Sequence, residues 1–285
     1  MVTTKTTEDC FWNSPYRSVK LPTYFPVYDR LFSKYIGTDL IFIEIGVFNG
    51  GSLFMWRDFF GPRARIIGID LNPLALKWKD HGFDIRIASQ SDKFFWTQLF
   101  EELGAVDIVL DDGGHTFEQQ IVTTECCIPH IKNGGMLVVE DTHTSYFADF
   151  GGPSQYSFIS YAKNYIDGIN YRCNSFKEKH TSTNLVHSIR IFESIVVFEI
   201  ERELCSTESK LINNGAETMD AKDFRYEDSN LVRNLDSISD KFMGFSMRIP
   251  YLSGVVSWLS DISRRISRRA VSVHRNRKLK KYFRF

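Results

Sequence analysis

The sequence predicts an α/β domain with a doubly wound, mostly parallel sheet of seven strands that ends in an antiparallel hairpin. Short apolar runs alternate with amphipathic stretches five times between residues 40 and 140. The runs are continuous rather than alternating, as expected of strands buried on both faces of a parallel sheet. The segment HSIRIFESIVVFEIER (187–202) then reads as two strands joined by a tight turn at Glu193-Ser194. A six-stranded dinucleotide-binding sheet would instead continue with further βα units.

Residues 1–22 read as a loosely structured lead-in. Residues 23–36 carry helical spacing, with Tyr28, Leu31, Phe32 and Tyr35 on one face. Strands are expected at 40–45, 64–69, 83–88, 106–110 and 135–140, and helices between them at 52–60, 73–80, 92–103 and 116–130. A glycine-containing loop at 147–154 precedes a helix at 156–167. Residues 206–240 are polar, with Asn-Asn-Gly and many acids, and read as a linker. After Pro250 and Gly254 a last helix begins, with Val255, Leu259, Ile262, Ile266, Ala270 and Val273 at helical spacing. The expected organisation is therefore 1–36 lead-in and helix, 37–203 main domain, 204–249 linker-like segment and 250–285 basic amphipathic tail.

Composition narrows the class. Apolar residues make up 43% and charged residues 25%, enough to bury a core without disulfides. The five cysteines show no CxxC pair, which points to reduced thiols in a cytosolic protein rather than a zinc site. Met1 to Asp9 is polar and carries no secretory signal pattern. No run of about 18 apolar residues predicts a membrane span. The net charge of zero hides an asymmetry. From Arg264 to Phe285 there are ten Lys or Arg and no Asp or Glu, leaving 25 basic against 35 acidic residues elsewhere.

The first βα junction runs Glu44-Ile-Gly46-Val-Phe-Asn49-Gly50-Gly51-Ser52. Its glycines suit close backbone approach to a ligand, but G-x-x-x-G-G is not the dinucleotide fingerprint G-x-G-x-x-G. Glu44 on the first strand suits a cofactor with a positively charged amino acid end. Asp70 closes the second strand 24 residues after Gly46, near the offset at which a carboxylate grips ribose hydroxyls. Asp70-Leu71-Asn72-Pro73 also reads as a helix cap. The third strand ends in Ala88-Ser89-Gln90-Ser91-Asp92, whose polar groups would lie near an adenine ring, with Asp92 placed to cap the next helix.

VDIVLDDGGH (106–115) and GGMLVVEDTH (134–143) place two acidic pairs at the ends of consecutive strands. Neighbouring strands lie about 4.8 Å apart, so Asp111 or Asp112 would face Glu140 and Asp141. Such acids raise one another's pKa unless a cation sits among them. Oxygen ligation suits Mg²⁺, with Mn²⁺ or Ca²⁺ as substitutes. His115 stands three residues after Asp112, placed to accept a hydroxyl proton. His143 competes for that role.

These motifs are recognisable together. IEIGVFNGGSLFMWRDFF, IIGIDLNP, DDGGH, GGMLVVEDTHTSY and HSIRIFESIVVFE span roughly residues 23–202. The chain resembles the metal-dependent sugar O-methyltransferases of the macrocin and mycinamicin type, and the related cephalosporin-hydroxylase-like group. The resemblance implies a Rossmann-like class I methyltransferase fold and S-adenosylmethionine (SAM) as cofactor. It implies cofactor contacts from Glu44, Gly46, Asn49, Gly50, Ser52, Asp70, Leu71, Gln90 and Ser91, with Asp111 a neighbour of the site. It further implies metal ligation by Asp112, Glu140 and Asp141, with His115 as general base and Asp112 as its catalytic partner.

The expected activity is Mg-dependent methylation of a sugar hydroxyl, on a glycan, a lipid-linked glycan or a glycosylated natural product. Two other classes compete. A NAD-dependent oxidoreductase is disfavoured by the glycine pattern and the closing hairpin. A non-catalytic SAM-binding adaptor is disfavoured by the intact acidic cluster and His115. Residues 255–285 read as an interfacial helix for an anionic membrane surface or as a helix docked on the acidic body or on a second subunit. Nucleic acid is the weakest of these partners. The expected location is cytoplasmic, with peripheral contact at the inner membrane face.

Overall fold

A computed structural model describes residues 5–173, 184–215, 225–226, 228–246 and 252–283. The chain divides into two compact units, Met1–Leu211 and Ile212–Phe285.

The first unit is built on seven strands: β1 (Ile41–Ile45), β2 (Arg65–Asp70), β3 (Asp84–Ile87), β4 (Val106–Asp111), β5 (Ile131–Val139), β6 (Val186–Phe192) and β7 (Ile195–Ile200). They form one sheet in the order β3-β2-β1-β4-β5-β7-β6. The first five strands are parallel to their neighbours, and the β6–β7 hairpin adds on antiparallel to β5. Its turn places Ser194 at a left-handed φ of 61°.

Both faces of the sheet are covered, which explains the unbroken apolar runs. Phe42, Ile66, Ile108 and Met136 point into one core. There they meet α1 (Thr7–Asn13), α2 (Phe25–Phe32) and α3 (Gly51–Phe60), where Tyr28, Phe32, Trp56 and Phe60 form an aromatic cluster. Alternate residues, Ile43, Ile67, Val109 and Leu137, point into the opposite core. That core is closed by α4 (Lys93–Leu103), α5 (Phe117–Cys127) and α6 (Phe158–Tyr171). A short helix, α7 (Arg202–Ser206), follows the hairpin.

Local chemistry explains where the elements begin. The expected loose lead-in contains α1, because Thr6 and Asp9 form a reciprocal capping box at its start. Thr7 ties it to α2 through a 2.8 Å hydrogen bond to Asp29. The helix expected at 73–80 is a 3₁₀ helix over Pro73–His81, capped by the Asn72 side chain and ended by Gly82. Asp92 caps α4 by accepting from Phe94 and Phe95 amides.

In the second unit, α8 (Asn230–Ser246) lies within the segment expected to be linker-like, and α9 (Leu252–Leu279) forms the basic tail. The two helices pack together through polar groups. Arg264 lies 3.4 Å from Asp236 and 3.2 Å from Asp240, while Ser239, Ser260 and Ser267 are buried. Leu231, Ile238, Phe242 and Phe245 on α8 and Val255, Trp258, Leu259, Ile266 and Val273 on α9 are exposed. The apolar stripe that predicted the last helix thus points outward. Among the described residues, no helix is long and apolar enough to cross a membrane.

Candidate active site

Strand order reverses between β1 and β4, and open α/β sheets bind ligands in the crevice above such a switch point. A cavity of about 610 Å³ opens there. Its floor depends on Gly46. This residue has φ of +93°, and a Cβ on it would lie 2.0 Å from the Asp112 carbonyl oxygen. The chain leaving β1 therefore passes directly against the chain leaving β4, which only glycine permits. Asp70 fixes the same turn. Its carboxylate accepts from the amides of Val47 at 2.8 Å, Phe48 at 3.0 Å and Asn72 at 2.8 Å.

Of the expected cofactor residues, Gly46, Asn49, Ser52, Asp70, Leu71 and Gln90 line this cavity. Glu44 instead lies beneath it, fully buried, accepting 2.9 Å hydrogen bonds from Ser52 Oγ and Trp56 Nε1. Burial pushes its carboxyl up to about 7, against the opposing pull of Lys20. Asp111 is likewise buried and accepts from Gln90 Nε2 at 2.9 Å. Burial lifts it to about 6. Both acids shape the side chains that face the cavity. Gly50 starts α3 in a left-handed conformation, and Ser91 lies in the turn before α4.

The acidic strand ends converge at the cavity edge. One carboxylate oxygen each from Asp112 and Asp141, and a ring nitrogen of His115, lie within 4.8 Å of one another. His115 Nε2 is 3.4 Å from Asp141 Oδ2 and 4.0 Å from Asp112 Oδ1. The two carboxylates suit a hard divalent cation such as Mg²⁺ or Mn²⁺, with the imidazole beside them. Both His115 and Asp141 adopt left-handed backbone, with φ of 57° and 53°. That conformation is costly for non-glycine residues and concentrates at functional sites. Thr144 Oγ1 braces the pair, donating to the His115 carbonyl at 3.1 Å and the Asp141 carbonyl at 2.8 Å. His143 turns towards the β6–β7 turn, where its Nδ1 bonds Ser194 Oγ.

Glu140 occupies a different place. Its carboxylate is fully buried, accepting from Tyr28 at 2.5 Å and from Lys20 Nζ at 2.8 Å. Lys20 also donates to Asp112 Oδ2 at 2.7 Å. Burial alone would lower the Lys20 pKa. The carboxylates of Asp112 and Glu140 outweigh it, raising the pKa and keeping the ammonium charged. Tyr24 completes the contacts, donating to Asp141 Oδ1 at 2.5 Å.

Lys20, Tyr24 and Tyr28 are absent from the expected site. Tyr24, at the N-cap of α2, and Tyr28 stand four residues apart, one helical turn. Tyr28 is expected from the sequence only as a residue of the apolar helical face. Its hydroxyl was the available signal, since a buried tyrosine needs a polar partner. Lys20 sits in the lead-in beside Pro22 and carries no periodic signal.

The sheet order, the closing hairpin and the cavity at the switch point define a Rossmann-like class I methyltransferase fold. The family model described as "Methyltransferase domain" matches residues 43–142. The chain is 35% identical over 163 residues to the mycinamicin VI 2''-O-methyltransferase of Micromonospora griseorubida, covering 52% of this chain and 39% of that protein. It is 36% identical over 140 residues to the demethylmacrocin O-methyltransferase of Streptomyces fradiae, covering 45% and 34%. The solved MycE methyltransferase of the mycinamycin biosynthetic pathway, in complex with Mg and S-adenosylhomocysteine, superposes with a TM-score of 0.58 at 25% identity. That match covers 69% of this chain and 54% of MycE. Over about half its length the chain is thus similar to macrocin- and mycinamicin-type sugar O-methyltransferases. The match spans well under half the length of the curated relatives.

Proposed function

We propose that the protein is a SAM-dependent O-methyltransferase that uses a divalent cation and methylates a hydroxyl of a sugar-containing acceptor. The observation that supports this most is the convergence of Asp112, His115 and Asp141 at the rim of the switch-point cavity. Gly46, Asn49 and Gln90 would hold the donor, with the Asp70 carboxylate facing its ribose. Asp112 and Asp141 would hold the cation, which lowers the pKa of an acceptor hydroxyl. The sulfonium donor supplies an electrophilic methyl group.

The residues then divide the work. The glycine turn and Asp70 set the donor's orientation, and in-line displacement depends mainly on such positioning. The hydroxyl oxygen forms the new C–O bond as the methyl–sulfur bond breaks. His115 takes the hydroxyl proton at Nε2. The braced backbone of His115 and Asp141 keeps base and carboxylate in place without reorganisation. Calorimetry tests the donor assignment. S-adenosylhomocysteine should bind with one site per chain and NAD should not. NAD binding without S-adenosylhomocysteine binding would overturn it.

A second reading concerns the C-terminal unit, where α8 and α9 pair through polar groups and expose apolar ones. An exposed apolar face flanked by Arg265, Arg269, Lys278, Lys280 and Lys281 suits an anionic membrane surface. The protein would then be cytoplasmic and peripheral, working at the inner face of the membrane on a lipid-linked glycan.

A further inference from the structure

The donor residues occupy one half of the sheet's upper edge. Gly46, Asn49, Asp70 and Gln90 follow β1, β2 and β3, while Asp112 and Asp141 follow β4 and β5. In-line displacement places the acceptor oxygen on the side of the methyl group opposite sulfur. In the order β3-β2-β1-β4-β5-β7-β6 that side is the half formed by β5 and the β6–β7 hairpin. The segment after Asp141 stands there, and it is firmly anchored. The Thr142 amide donates to the Ser194 carbonyl at 3.1 Å, the Phe147 amide to the Thr144 carbonyl at 3.0 Å and the Gly152 amide to the Phe147 carbonyl at 2.9 Å. Thr142, Thr144 and Ser145 are buried, whereas Tyr146 and Phe147 are 61% and 51% exposed. His143 joins these rings. Its Nδ1 bonds Ser194 Oγ and lies 4.0 Å from Asp141 Oδ1. Its imidazole meets the Phe147 ring edge-on, with centroids 5.1 Å apart and planes at 70°. The side chain is 39% exposed, and among the described residues nothing bonds its Nε2. Ser194 thus fixes the ring through one nitrogen and leaves the other for a ligand.

Building on the sugar-acceptor reading above, we propose that His143 and Phe147 form the acceptor platform: a C–H face of the sugar ring rests on Phe147, and a hydroxyl other than the methylated one bonds His143 Nε2. The chemistry of the two sides matches. A pyranose ring is apolar across its C–H faces and polar around its edge. It is held by a flat apolar surface with a hydrogen-bonding group beside it. The steeply inclined rings of Phe147 and His143 supply both, next to the carboxylate of Asp141. An anchored backbone supplies the rest, because a pre-ordered contact surface loses little freedom when the ligand arrives. In this account the platform selects which hydroxyl meets the cation, while His115 takes the proton.

The test is saturation-transfer nuclear magnetic resonance on the full-length protein loaded with S-adenosylhomocysteine and Mg²⁺. The probes are the methyl glycosides of glucose, galactose, mannose and rhamnose. The parent should bind at least one of them, with saturation strongest at the C–H protons of one ring face. Phe147→Leu keeps an apolar side chain but loses the flat ring, and should weaken that glycoside about fivefold or more. Phe147→Tyr restores the ring and should hold the affinity within about twofold of the parent. His143→Leu removes the hydrogen bond and should weaken the glycoside about threefold or more. Affinity for S-adenosylhomocysteine should stay within about twofold throughout, which a general disturbance of the site would not allow. Unchanged glycoside affinity in either Leu variant would overturn the proposal, as would a loss in Phe147→Tyr equal to that in Phe147→Leu. Parallel loss of glycoside and S-adenosylhomocysteine would mark a structural role and overturn it too. Should a Leu variant not fold, intermolecular Overhauser contacts from the Phe147 ring to the bound glycoside in the parent decide the matter, and their absence overturns the proposal. A parent that binds none of the glycosides overturns the sugar-acceptor reading together with it, whereas binding that ignores His143 and Phe147 overturns this proposal alone.

Discussion

The Tyr28 hydroxyl donates to Glu140 Oε1 at 2.5 Å across 112 positions of sequence, and both groups are buried. A residue of the N-terminal helix thereby supports an acid at the tip of a central strand. Tyr28→Phe removes the donor and leaves the ring packing against Phe32 and Trp56 in place. A buried hydrogen bond to a charged group contributes about 1.5–3 kcal/mol. Urea unfolding of Tyr28→Phe should show an unfolding free energy lowered by that order, read as a lower midpoint at an unchanged slope. An unaltered midpoint would mean that Glu140 finds another donor.

His115 carries the proton in the proposed mechanism and sits at φ of 57°. Substitution by Asn is the informative change, because Asn tolerates left-handed backbone better than most residues. His115→Asn should lower turnover by about 10²–10⁴, the usual contribution of a general base. Its affinity for S-adenosylhomocysteine should stay within about twofold. Retained turnover would remove His115 from the mechanism.

Glu44 makes stability depend on pH. Its carboxyl is pushed to about 7 by burial, above the ordinary 4.5 of an unfolded chain. Between these values the folded state holds a proton that the unfolded state has released. The stabilisation is therefore present below about pH 4.5 and lost as pH rises through about 7. Glu44→Gln cannot titrate, so the fall in unfolding free energy between pH 5 and pH 8 should shrink by about 2 kcal/mol. Denaturant titrations of both proteins at the two pH values measure this, and an equal fall in both would contradict it.

Most of the architecture was legible in the sequence for a simple reason. Runs such as Leu40–Ile45 and Val106–Leu110 feed two cores at once, and only a sheet covered on both faces demands that pattern. What escaped notice depends on polar detail. Thr6 and Asp9 start α1 through a capping box inside a segment with little apolar periodicity. α8 does carry apolar residues at helical spacing, Leu231, Ile238, Phe242 and Phe245, but they stand among the Asn, Asp and Ser residues that give the segment its linker-like reading. At the site, strand-end acids and His115 announced themselves by position. Whether Glu140 turns towards the cavity or into the pocket of Lys20 and Tyr28 depends on residues more than 100 positions away, which no local pattern encodes.

The outward apolar faces of α8 and α9 lead to a binding prediction. Full-length protein should sediment with vesicles rich in anionic phospholipid and remain in solution with neutral phosphatidylcholine. Binding should weaken steeply with salt, since attraction to an anionic surface is screened. A chain ending at residue 254 should lose it. Equal behaviour of the two chains would assign the apolar faces another role.

The central claim is that a cation held by Asp112 and Asp141 sits beside the methyl group being transferred. Nuclear magnetic resonance of SAM labelled with ¹³C at the methyl carbon, bound to the protein with Mn²⁺ in place of Mg²⁺, measures that separation through paramagnetic relaxation. A ligating distance of about 2 Å and a near-attack separation of about 3 Å place the ion within roughly 5–6 Å of the methyl carbon. The account predicts strong broadening of the methyl signal that Asp112→Asn abolishes. A sharp methyl signal from bound SAM in the presence of saturating Mn²⁺ would contradict it.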